Sequence, residues 1–129
     1  MSENFDVKSI MIPILGTPGA DVGYPLIHFP AKGGAVTILE AFFSCATAET
    51  HSTINLFYGT LLAAGGTLVP VATIGTAIGT CGAISEVAIT LTASPCVVPA
   101  NNWLGINAHT TWGLVANQSS VHIVYVTGR

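Results

Sequence analysis

Beyond Glu49 the chain carries only two more charged residues, Glu86 and Arg129. No ion therefore marks the outside of any element across most of the sequence. The polar surface must come from Thr, Ser, Asn, Gly and peptide groups. Charged residues make up 7% of the 129 residues and apolar ones 50%, whereas an average soluble protein is roughly 25% charged. Disorder needs the reverse balance, low hydrophobicity with high charge. The chain is expected to fold, and its length suits a single domain. A Thr-rich surface with few ions also packs readily against other chains, because little charge has to be desolvated. Weighed against a merely neutral surface, an extensive homo- or hetero-interface is the preferred reading.

The apolar pattern has a period of two, the signature of strands. Val87, Ile89 and Leu91 alternate with Glu86, Ala88, Thr90 and Thr92. Ile10, Ile12 and Ile14 alternate with Ser9, Met11 and Pro13, and the proline points to an edge strand or an arm. Val121, Ile123 and Tyr125 share one face of the last strand and His122, Val124 and Val126 the other, which predicts a central strand. Further runs are 24–29, 36–45, 53–62, 67–74 and 103–109. The run from Ala35 to Ala48 has the most helical pattern, but its Val, Thr, Ile and Phe favour a strand. Turn signals separate the runs, among them Lys32-Gly33-Gly34, Ala64-Gly65-Gly66, Ser94-Pro95 and Pro99-Ala100-Asn101-Asn102. About eight strands in two sheets imply an all-β, jelly-roll-like β-sandwich. Residues 1–22 read as an N-terminal arm and 23–129 as the sandwich domain. The quasi-repeat Thr73–Gly82 reads as a strand running into a wide loop, or as a hairpin at a subunit contact.

Several function classes drop out on composition. With Lys8, Lys32 and Arg129 as the only basic residues, no stripe can be assembled to neutralise phosphates, so neither nucleic acid nor an anionic membrane is an expected partner. Thr53–Ile84 is apolar and uncharged, but seven breakers, Pro70 and six glycines, argue against a spanning helix. The polar, acidic start, Met1–Asp6, lacks a secretory pattern, which suggests synthesis in a cytosol. Cys45, Cys81 and Cys96 form neither a disulfide framework nor a CxxC zinc motif, and each is expected to be a small buried hydrophobe.

Catalysis needs placed acids, bases or nucleophiles, and the supply is thin. Glu3, Asp6 and Asp21 lie in the expected arm. Glu40 interrupts an apolar strand and is expected to face solvent or a subunit contact, since a buried unpaired carboxylate is costly. His28, His51, His109 and His122 show no HxH or HExxH spacing, and none is assigned to a metal. No nucleophile, Walker or dinucleotide signature is present. The expectation is no enzyme, no cofactor and no catalytic or metal-binding residue. Asn117-Gln118-Ser119 matches the glycosylation pattern and is read as accidental. Trp103 and Trp112 could stack on sugar rings, but core or interface packing is preferred.

The segment Asn101-Asn102-Trp103-Leu104-Gly105-Ile106-Asn107-Ala108, then Gly113 and the closing run Val121–Gly128, resembles the C-terminal half of small jelly-roll structural proteins of tailed bacteriophages. These include capsid decoration (cement) proteins and small tail or fibre components. The layout is also similar to trimeric TNF-like jelly rolls. The resemblance covers roughly the last 75 residues and is one of strand layout, not of a catalytic motif. It implies a homotrimer on the virion surface, made in the host cytoplasm, which binds the major capsid protein or another virion protein and stabilises the head. A carbohydrate- or receptor-binding module of a tail or fibre is the alternative. A small membrane protein such as a lysis factor ranks third.

Overall fold

The computed structural model describes residues 7–14, 23–45, 49–61, 68–81, 85–108 and 119–127. Among them are ten strands: β1 (Val7–Ile14), β2 (Tyr24–Phe29), β3 (Val36–Cys45), β4 (Glu49–Leu61), β5 (Leu68–Cys81), β6 (Ser85–Ala88), β7 (Thr90–Leu91), β8 (Cys96–Val98), β9 (Asn102–Ala108) and β10 (Ser119–Val126). A single 3-10 turn, Ala31–Gly33, lies between β2 and β3.

All pairings are antiparallel, and they are nested. β1 pairs with β10, β2 with β9, β3 with β6 and β8, and β4 with β5. The chain is thus one long ladder, rolled so that successive pairs alternate between two sheets. The first sheet runs β1-β10-β3-β6, with β8 also on β3, and the second runs β2-β9-β4-β5-β7. This is the jelly-roll arrangement. β10 is central, as its two-sided apolar pattern requires.

The period-two pattern becomes burial because alternate side chains of each strand point between the sheets. Ile14, Val121, Ile123, Ile38 and Phe43 of the first sheet meet Ile54, Leu56, Ile74, Leu104 and Ile106 of the second in one buried cluster. Cys96 lies in this cluster, as a small hydrophobe should. The Ser119 hydroxyl is buried without a hydrogen-bond partner.

Four details differ from the sequence reading. Of the stretch 1–22 expected as an arm, Val7–Ile14 pairs along its whole length with β10 as an edge strand. The sandwich therefore begins at Val7 and not at residue 23; residues 1–6 and 15–22 lie outside the described residues. The run Val87–Leu91 is divided between the sheets, with β6 on β3 and β7 on β5. Ile89 sits at the crossing, buried in the core, and its N–H donates to the Ala41 carbonyl at 2.8 Å. The Thr-Ile-Gly quasi-repeat continues as β5 through Cys81. β8 is a short strand that the flanking Pro95 and Pro99 hide in the sequence.

Local chemistry explains two further features. Asn101 adopts φ 62°, a left-handed conformation that asparagine tolerates, and its N–H donates to the Phe29 carbonyl at 2.9 Å. Gly105 is needed for space: a Cβ there would come within 2.9 Å of Phe57 Cζ and 2.2 Å of Leu68 Cδ2. Phe57 and Leu68 are buried apart from the main cluster, with Phe57 on the outer face of β4 opposite Gly105.

Phe43, with no exposed surface, has the largest fully buried side chain of the first sheet's inner face. Phe43→Ala should lower the unfolding free energy by about 3–5 kcal/mol, measured by chemical denaturation. A loss below about 1 kcal/mol would mean that the two sheets do not close over this residue.

Candidate functional site

The outer face of the first sheet combines the features a docking surface needs. The register aligns its outward side chains in rows across β1, β10 and β3: Val7, Val126 and Thr37; Ser9, Val124 and Glu40; Met11, His122 and Phe42; Pro13, Ser120 and Ser44. β6 adds Ala88 and Glu86, and β8 adds Val97. Large hydrophobic side chains stand in solvent here: Val7 is 57% exposed, Met11 58%, Leu39 44% and Val97 43%. Among the described residues the charges on this face are two carboxylates, Glu40 and Glu86. Single exposed hydrophobes are ordinary; several on one sheet face make it a candidate interaction surface.

Two polar devices interrupt the face. The first is a hydrogen-bonded chain at its middle. The Ser9 hydroxyl contacts His122 Nε2, and His122 Nδ1 lies 3.5 Å from Glu86 Oε2. With Nδ1–H turned to the carboxylate, Nε2 is left to accept from Ser9. Phe42 flanks the imidazole, with ring centroids 5.9 Å apart, and Ser44 and Ser120 pair at 2.7 Å in the next row. The serine–histidine–carboxylate order is that of an acyl-transfer relay. The groove that opens beside Glu40 on the same sheet is lined by none of the three residues. We read the chain as a clasp that ties β1, β10 and β6 together and satisfies three polar groups in an apolar surface.

The second device is a bulge. The β3–β10 register slips between Val124 and Tyr125, so that both Leu39 and Glu40 stand opposite this break. Both side chains are consequently exposed, while Ile38 and Ala41 on either side stay buried. Glu40 therefore faces solvent, as the cost of burying a lone carboxylate demands. Beside it opens a groove of about 340 Å³ lined by Leu39, Glu40, Ala41, Phe42, Ala88, Ile89 and Leu91.

The second sheet's outer face is different. Trp103 is half-buried, lies opposite Gly59 on β4, and stacks obliquely on His28 at 5.1 Å. Asn55 donates to Asn107 at 3.1 Å. Phe57 lies over Gly105, which has no side chain to compete with the ring; Gly59 instead gives room to the backbone of β5 at Val69 and Pro70. Trp112, His109 and Asn117 lie outside the described residues, as do the side chains of His51, Cys45 and Cys81. Among the described residues no group of three or more His, Cys, Asp or Glu is placed to hold a metal ion. No helix among them is long and apolar enough to cross a membrane.

The sequence reading noted the two faces of β10 and singled out Glu40, but missed the Ser9–His122–Glu86 clasp. These residues are far apart in the chain, and only the β1–β10–β3–β6 register brings them together.

Cys96 provides a chemical check on the interior. Burial raises its thiol pKa, because the thiolate would lose its hydration; the Ile74 carbonyl is 3.8 Å from Sγ. The neutral thiol is thereby favoured in the fold, a contribution present below the ordinary thiol range and lost as pH rises through the higher folded value. Iodoacetamide at about pH 8 should leave Cys96 unmodified in the native protein and alkylate it after denaturation, as read by peptide mass spectrometry. Rapid native alkylation would contradict the closed core.

Comparison with protein-family models, with characterised proteins and with solved structures finds no match to this chain.

Proposed function

We propose that this chain is a non-enzymatic structural protein of a virion, decorating and stabilising an assembled head through the outer face of its first sheet. The observation that carries the reading is that face: largely apolar and, among the described residues, charged only by Glu40 and Glu86. Desolvating such a surface costs little, and the exposed Val7, Met11, Leu39 and Val97 supply apolar area to bury.

Size argues for multiplicity. Four strands about 4.8 Å apart and about 27 Å long give a footprint on the order of 500 Å². A stable interface takes roughly 800 Å² from each partner. One face alone therefore makes a weak contact, and a homotrimer on a repetitive shell would compensate by avidity. Binding the assembled shell in preference to free subunits stabilises it by mass action.

A carbohydrate-binding module of a tail or fibre is the second reading, favoured by the half-exposed Trp103 beside His28. It ranks lower because Trp103 is half-buried and its ring already lies against His28.

The deciding experiment mixes purified protein with heads of the virus that encodes it and sediments them. The chain should pellet with the heads and raise the temperature at which they break open. Met11→Asp and Val97→Asp should weaken binding at least about tenfold, since each buries a new charge, while leaving the circular-dichroism spectrum unchanged. Protein that stays in the supernatant, or variants that bind like the parent, would overturn the proposal.

A further inference from the structure

We infer that the groove beside Glu40 is an arginine-reading anchor within the docking face, so that the partner presents an arginine from an apolar, extended segment; the inference rests on the docking-face reading above. The groove lies where β3 has no strand partner on one side. β6 pairs with 42–45 and β8 with 36–38, leaving 39–41 between them. There the chain leaves the first sheet for the second, and Ile89 N–H donates to the Ala41 carbonyl across the gap. The β10 side of the same residues carries the bulge. Bulges commonly re-aim side chains at sites of interaction. Here the bulge puts Glu40 at the rim of a groove walled by Leu39, Phe42, Ala88, Ile89 and Leu91.

Among the described residues Glu40 has neither an ion-pair nor a hydrogen-bond partner. Glu86, the other carboxylate of this face, has His122. An unpaired carboxylate at the edge of an apolar surface is a penalty in any docked state that does not supply its counter-charge. The favourable occupant therefore has an apolar stem for the groove and a cation for the rim. A guanidinium meets both demands better than an ammonium: it is weakly hydrated, grips a carboxylate with two parallel N–H bonds and lies against an aromatic ring such as Phe42. A second copy of this chain is a poor source, since the whole sequence holds one arginine and two lysines.

The test uses a tripeptide, N-acetylated and C-amidated valyl-arginyl-valine, titrated into the isotope-labelled full chain to about 10 mM while amide NMR shifts are followed. The expected shifts are confined to 39–42 and 88–91. Replacing arginine by neutral citrulline should weaken binding about fivefold, the range of an exposed ion pair. Glu40→Gln, an exposed change that leaves the core intact, should abolish that difference. Absence of shifts at these residues, equal binding of the two peptides, or an unchanged preference in Glu40→Gln would overturn the inference. Its failure is distinguishable from failure of the docking face: heads that still bind the parent, and lose Met11→Asp, would leave the face standing without the anchor.

Discussion

The closed apolar layer between the two sheets is the constraint on which the other features depend. In a chain with almost no ions, the alternation of large aliphatic and small polar side chains is what tells inside from outside. Each nested pair, from β1–β10 at the rim to β4–β5, contributes one row to each face, so the inner rows can close only if every register is right. Slipping one strand by a single residue would turn its whole buried set to solvent. Two of the places where the pattern is broken, the bulge at Leu39–Glu40 and the crossing at Ile89, fall side by side at the groove.

The two outer faces then diverge for physical reasons. In the second sheet Phe57 lies over Gly105 and against Leu68, and Trp103 lies opposite Gly59 beside His28. Two valines of its β5, Val69 and Val71, nevertheless stand exposed, at 37% and 62%. The first sheet leaves Val7, Met11 and Val97 standing in water, and ties up its central polar groups in the Ser9–His122–Glu86 clasp. Among the described residues the first sheet carries four of the six exposed large hydrophobic side chains, Val7, Met11, Leu39 and Val97, and on that imbalance rests the proposal that its outer face is the one covered by a partner.

Much of this was legible in the residues. The jelly-roll class, the central position of β10, the burial of Cys96 and the exposure of Glu40 follow from periodicity and desolvation cost. What was not legible depends on which strands meet. Val87, Ile89 and Leu91 alternate without a break, so nothing in their spacing says that the chain changes sheets at Ile89. Val7–Ile14 carries both an edge-strand pattern and the glycines and proline of an arm shortly after it, and pairing with β10 is what makes it part of the sandwich. The clasp joins residues 9, 86 and 122, whose proximity no local pattern encodes. Cys96–Val98 is too short, and too closely flanked by prolines, for periodicity to find.

On the function proposed above, the outer face of the first sheet is covered in the assembled particle. Met11 reports on it directly, because its thioether is exposed in the isolated chain and oxidises readily to the sulfoxide. Brief oxidation of the free protein and of intact particles, followed by peptide mass spectrometry, compares the two states at one atom. The account predicts rapid conversion of Met11 in the free chain and strong protection in the particle. Equal oxidation in both states would contradict it and would place the contact on some other surface of the sandwich.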